Sequence, residues 1–254
     1  MCLINFHFQD HPNYKLIIAA NRDEFYKRPT APAQFWKDSP DILAGRDLVG
    51  MGTWLGITKG GRIAALTNYR DPAQEQHNQK SRGHIVRNFL ESGMAAADFF
   101  SRLQKEKDLY TGFNVIAGTP EQLFYYNNIQ NVISLIHQGT HGLSNKFLNT
   151  AWPKVTKGKE KLAEYINQNA IIKTDPLFDI ISDVEEAQDA HLPETGVGLD
   201  LERKLSPMFI QTPDYGTRSS TVLLVDRNNQ VTFAERTYEN ATLENENRFT
   251  FKIE

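Results

Sequence analysis

Residues 2–8, CLINFHF, and 14–21, YKLIIAAN, are two β-rich runs separated by Asp10-His11-Pro12-Asn13, a cluster of turn formers. They read as an N-terminal hairpin. Runs apolar on both faces, LIIAA at 16–20 and TVLLV at 221–225, suit sheets covered on each side. The pattern recurs at Trp54–Thr58 and Arg62–Asn68, where Lys59-Gly60-Gly61 supplies the positive φ of a tight turn and predicts a second hairpin. Arg82–Leu103 turns helical, with Ile85, Phe89, Phe99, Phe100 and Leu103 on one face and Glu91-Ser92-Gly93 breaking it into two helices. Strands are expected at Phe113–Ala117, Leu123–Tyr126 and Val132–His137. Helices should follow from Trp152-Pro153 to Asn167 and from Asp175-Pro176 to Asp189. Strands return at Ser219–Val225, Val231–Tyr238 and Arg248–Ile253, the first two joined by a turn at Asp226–Asn229. Consecutive hairpins and segregated helix pairs predict an α+β chain, residues 1–254 forming one domain with two antiparallel sheets face to face and helical layers outside.

The 254 residues carry 28 Lys+Arg against 31 Asp+Glu, so there is no basic field for nucleic acid or an anionic membrane. With 40% hydrophobic residues a real core is affordable, and no apolar run approaches the roughly 18 residues of a membrane span. The N-terminus lacks the basic segment and the apolar run of about 7–15 residues that mark a secretory signal, so a cytoplasmic chain is expected. A single cysteine, Cys2, can build neither an internal disulfide nor a Cys-rich zinc site.

Cys2 follows the initiator Met, and methionine aminopeptidases remove Met1 when the next residue is small. Processing would leave one residue carrying both a thiol, of ordinary pKa about 8.5, and a free α-amine, of about 7.7–8.0, so that nucleophile and base sit together. The plainer alternative makes Cys2 a small apolar residue on an edge strand. Asn21-Arg22-Asp23-Glu24-Phe25 ends the second strand of the first hairpin, a strand's width from Cys2. A guanidinium there would favour thiolate, and a carboxylate would hold a cationic amine. The alternative is a solvated ion pair.

The start Met-Cys-Leu-Ile, the Asn21–Phe25 block with Arg28-Pro29 after it, Gly52-Thr53-Trp54-Leu55-Gly56 and Leu66-Thr67-Asn68-Tyr69-Arg70 resemble the NRDE family, also called Transport and Golgi organisation 2. Gly83-His84, Gly142-Leu143-Ser144-Asn145 with Trp152-Pro153-Lys154, and Tyr215–Thr221 extend the resemblance over nearly the whole chain. It implies a four-layer αββα sandwich of the N-terminal nucleophile hydrolase type. It also brings into comparison the cysteine amidases related to choloylglycine hydrolase and penicillin V acylase. By that comparison Cys2 is the nucleophile, Arg22 and Asp23 the pair that tunes it, Asn68 and Asn145 the oxyanion donors, and Arg218 a late arginine of the site. The amidase Arg and Asp are not adjacent, whereas Arg22 and Asp23 are. On a strand the two face opposite sides, so Asn21 or Glu24 could take one of the roles. Family members are associated with Golgi organisation, secretion and lipid or haem handling, which keeps open a non-catalytic acyl-, lipid- or haem-binding role. A small-molecule acyl or amide ligand is the expected partner, with no cofactor.

Read alone, Asn68 equally suits a turn start, Asn145 a helix entry, and Arg218 a strand-end partner of Asp214 or Glu235. His84 or His141 could pair with Cys2 as a dyad that needs no Met removal. No metal spacing, nucleophile elbow or phosphate loop is present.

Overall fold

The computed structural model describes residues 2–72 and 79–254. Thirteen strands are described: β1 (Cys2–Phe8), β2 (Tyr14–Phe25), β3 (Thr30–Phe35), β4 (Ile42–Asp47), β5 (Leu55–Thr58), β6 (Ile63–Asn68), β7 (Phe113–Thr119), β8 (Gln122–Asn127), β9 (Val132–Leu135), β10 (Gly139–Leu143), β11 (Tyr215–Asp226), β12 (Gln230–Glu239) and β13 (Thr242–Lys252). The helices are α1 (Gly83–Glu91), α2 (Ala96–Lys105), α3 (Pro153–Gln168), α4 (Thr174–Ile181) and α5 (Leu199–Leu205).

Two antiparallel sheets result, of six strands in the order β10-β1-β2-β11-β12-β13 and of seven in the order β3-β4-β5-β6-β7-β8-β9. Side-chain alternation sorts each strand between layers. Ile4, Phe6, Ile18, Leu55, Ile57, Ile116 and Phe233 meet between the sheets. Ile17, Ala19, Val222 and Leu224 pack under Leu162, Ile166, Leu177 and Phe178 of α3 and α4. Ala64, Leu66 and Val115 do the same under α1 and α2. The expected αββα sandwich is the observed one. Among the described residues no helix is long and apolar enough to cross a membrane.

Both hairpins form as expected, and Gly61 alone of the Gly-Gly pair holds a positive φ, 77°. The sequence reading differs from the structure at element ends. The Asn21–Phe25 block lies inside β2 rather than closing a shorter strand, because β11 pairs with it as far as Phe25. The helix expected to reach Asp189 ends at Ile181. β1 is no edge strand, since β10 flanks it. β3, β4, β10 and α5 were not foreseen: β3 contains Pro32 and is a sheet edge, where proline is tolerated, and β10 is rich in glycine.

Candidate active site

In the β1–β2 ladder Cys2 stands directly opposite Arg22. Even-numbered residues of both strands face the inter-sheet core, so Cys2, Arg22 and Glu24 share the inner face, while Asn21 and Asp23 turn outward under the helices. The adjacent Arg22 and Asp23 therefore divide between the two faces, and Arg22 is the one beside the thiol.

Arg22 is held from three sides. Its guanidinium carbon lies 4.3 Å from the centre of the Trp54 ring, Nη1 donates to Thr30 Oγ1 at 3.0 Å, and Nη2 is 4.0 Å from Glu24. A cavity of about 380 Å³ opens beside Cys2, bounded by Arg22, Glu24, Arg28, Asn68 and Arg82. Arg28 is bidentate to Asp47, at 3.1 and 2.6 Å. Arg82, whose Nη1 donates to the Gly112 carbonyl at 3.1 Å, has no carboxylate within ion-pair distance among the described residues. The cavity wall depends on a close backbone approach: a Cβ on Gly52 would lie 2.4 Å from the Gly83 carbonyl carbon, and Thr53 N–H donates to Gly83 O at 3.2 Å.

Burial pushes the Cys2 thiol above its ordinary value, outweighing the opposing pull of Arg22. The expected thiolate-stabilising guanidinium is in place, but in this state it does not win. Met1, on which the processing expectation turns, lies outside the described residues.

On the outer face Asp23 accepts from Thr217 Oγ1 at 2.7 Å. Burial raises its carboxyl, and the charge of Lys154 draws it back. Lys154, in the first turn of α3 and itself buried, donates to the Leu205 carbonyl at 3.0 Å. Burial lowers its ammonium to about 8 against the attraction of Asp23. Asn21 uses Nδ2 on the carbonyls of Ile181 and Met208, both at 2.8 Å, and Oδ1 on the Ser220 hydroxyl at 2.6 Å. It ties β2 to the helical layer.

Asn68 and Asn145 are joined: Asn145 Nδ2 donates to the Asn68 carbonyl at 2.8 Å. The Ser144 hydroxyl lies 3.1 Å from the Cys2 carbonyl and 3.2 Å from Asn145 Oδ1, linking β1 to the same group. Asn68 lines the cavity; Asn145 is fully buried behind it. Arg218 stands apart from that cavity. Its Nη1 donates to the carbonyls of Phe25, Tyr26 and Arg28, so neither Asp214 nor Glu235 neutralises it through that atom. His141 packs on Phe6 with its ring nitrogens meeting the His137 carbonyl and Asn149, and His84 Nε2 meets the Gly50 carbonyl. Sequence reasoning missed Arg82, Ser144 and Lys154 as site residues. The last two lay inside quoted motifs, and their chemistry appears only when distant segments meet.

Behind Trp54, on β12, Glu235 is buried and accepts from the Ala33 N–H. Burial raises its carboxyl to about 7. The folded chain thus holds a proton there that the unfolded chain has lost above about 4.5, so stability falls as pH rises from about 4.5 to 7. Glu235→Gln, which keeps an acceptor for Ala33, should match wild type at low pH and exceed it by about 3 kcal/mol above pH 7. Urea unfolding at the two pH values checks this; an equal difference at both would refute it.

The family model described as Transport and Golgi organisation 2 matches residues 1–240. The Transport and Golgi organization 2 homolog of Mus musculus is 37% identical, with 93% of this chain and 92% of the relative covered. The Homo sapiens homolog is 36% identical over the same shares. Among solved structures, a Caenorhabditis elegans N-acylethanolamine-hydrolyzing acid amidase ortholog superposes with a TM-score of 0.51 at 11% identity, covering 88% of this chain and 92% of that one. A mutant conjugated bile acid hydrolase from Clostridium perfringens gives 0.50 at 8%, covering 99% and 97%. These likenesses establish the fold, an αββα sandwich of the N-terminal nucleophile hydrolase type. The chain belongs to the Transport and Golgi organisation 2 family.

Proposed function

We propose that this member of the Transport and Golgi organisation 2 family is a single-domain cytoplasmic cysteine amidohydrolase, cleaving a linear C–N amide through an acyl-thioester at Cys2 once Met1 has been removed. The observation that carries the reading is the pairing of Cys2 with Arg22 on the inner face of the hairpin, at the edge of a 380 Å³ cavity of ligand size. In the processed chain the thiol passes its proton to its own α-amine and the sulfur attacks the amide carbonyl carbon. The tetrahedral oxyanion accepts from Asn68 and Asn145, and the C–N bond breaks as the α-ammonium returns the proton to the leaving amine. Water then attacks the thioester, and the products are a carboxylic acid, an amine and the restored thiol. Arg22 offsets negative charge on sulfur, and Asp23, its own charge favoured by Lys154, balances the ammonium. Arg218 acts by holding the end of β2 in place.

A second reading, reversible binding of an acyl, lipid or haem-related ligand, draws on the raised Cys2 thiol. Amine release from a panel of N-acyl amides, measured on Met-processed wild type and Cys2→Ala, separates the two. Release by wild type alone supports hydrolysis; saturable binding without release, indifferent to Cys2→Ala, supports the second reading.

A further inference from the structure

The cavity beside Cys2 carries a positive charge that its own walls do not balance. Among the described residues its lining includes the cations Arg22, Arg28, Lys80 and Arg82. The first three each have a carboxylate: Arg22 has Glu24 at 4.0 Å, Arg28 has Asp47 at 2.6 Å, and Lys80 has Glu106 at 3.5 Å. Asp23 also borders the space, but its carboxylate turns outward to Thr217 and is set against the charge of Lys154. Arg82 is left over. Its Nη1 donates at 3.1 Å to the Gly112 carbonyl, a neutral acceptor that leaves the guanidinium charge uncompensated. Arg82 immediately precedes α1, whose first turn holds no acidic residue, so the helix start adds to the positive field there. Burial pushes the guanidinium toward its neutral form against the pull of Cys2 and Glu24, yet an arginine keeps its charge at any ordinary pH. The residue remains partly exposed, and an anion brought to it through the cavity would offset the cost of that burial.

A surplus of one positive charge restricts the ligand. A phosphate dianion would bring a second negative charge into a space that Glu24 already lines, whereas a single carboxylate matches the surplus and fits the fork of a guanidinium. The same cavity has an apolar side. Val49 lines it and is 61% exposed, and its chain neighbours Leu48 and Met51 are exposed as well. We propose that Arg82 selects the substrate of this cavity, an acyl amide that carries one carboxylate, with the carboxylate on the Arg82 guanidinium and the apolar part along Val49. The inference deepens the amidohydrolase reading and rests on it for the position of the scissile amide at Cys2. Arg82 takes no part in the bond changes. It fixes one end of the molecule, so its contribution is to the choice between charged and uncharged amides.

The test uses the full chain carrying Cys2→Ala, which has no thiol to turn a ligand over, so its outcome does not depend on whether hydrolysis occurs. N-octanoylglycine and its uncharged counterpart N-octanoylglycinamide are titrated calorimetrically at pH 7.5. The carboxylate is expected to bind about tenfold or more tightly, with Arg82→Gln bringing the two ligands to near-equal affinity and Arg82→Lys restoring part of the preference. An Arg82 that served only to hold the Gly112 carbonyl would weaken both ligands alike and leave their ratio unchanged. Thermal melts confirm that each variant is folded. If Arg82→Gln does not fold, a crystal of the Cys2→Ala chain soaked in N-octanoylglycine decides, with the carboxylate on Arg82 expected. No binding of either ligand at millimolar concentration, equal affinity for the two, a preference that survives Arg82→Gln, or a soaked carboxylate bound away from Arg82 would overturn the proposal. Amine release by the wild-type chain without a preference for the charged amide would overturn it and leave the hydrolase reading standing; the preference without any release would do the reverse.

Discussion

Glu202→Ala should cost about 3–5 kcal/mol of stability, among the largest losses from any single surface-distant substitution in this chain. Glu202 on α5 and Arg70 just after β6 meet at 2.7 Å with both side chains nearly excluded from water. Glu202 also accepts from the Thr195 N–H at 3.0 Å, and the Arg70 guanidinium lies 4.8 Å from the Trp152 ring centre. Truncating the carboxylate leaves a buried guanidinium deprived of that charge, and burial already pushes Arg70 toward its neutral form. Replacing both partners by apolar residues, Arg70→Met with Glu202→Leu, should cost less than Glu202→Ala alone, because the buried guanidinium that Glu202 offsets is then removed with it. Chemical unfolding of the three variants checks this; a double variant no better than Glu202→Ala would contradict it. The pair bears on the site because the Arg70 N–H donates to the Asn145 carbonyl at 2.7 Å.

In the processed chain, Asn68→Ala and Asn145→Ala should each slow acylation by about 10²-fold or more if they donate to the oxyanion. The two are not equivalent. Asn145 also holds the Asn68 carbonyl, so its loss removes one donor and frees the strand end that carries the other. Asn145→Ala should therefore lose at least as much rate as Asn68→Ala, and more stability. Single-turnover acylation beside thermal melts distinguishes these effects. Unchanged acylation in folded Asn68→Ala would remove that residue from the proposed mechanism.

Much of this arrangement was legible in sequence where the local signals are strong. CLINFHF, YKLIIAAN and the Gly-Gly hairpin are short β-prone runs bounded by turn formers and buried on both faces, and α1 to α3 carry buried faces at helical spacing. β3 and β10 escaped because Pro32, Gly139 and Gly142 have low intrinsic strand preference, which tertiary pairing overrides. Alternation along the strand meant that only one of Arg22 and Asp23 can face Cys2. Which one depends on the register, set by pairing across the hairpin. Burial is equally invisible in sequence: the rise of the Cys2 thiol, the descent of Lys154 to about 8 and the rise of Glu235 to about 7 all follow from layers that close over residues distant along the chain.

The central claim is that Cys2, freed at its α-nitrogen, is a nucleophile. Intact-mass analysis tests it most directly: chain beginning at Cys2 and chain retaining Met1 are each exposed to activated acyl esters or β-lactams, then digested to locate any adduct. An acyl mass increment on the N-terminal peptide is expected in the processed chain and absent when Met1 remains, because an amide nitrogen cannot take the thiol proton. Reversible binding alone, with no adduct across a broad acyl panel in chain verified to begin at Cys2, would contradict the hydrolase reading.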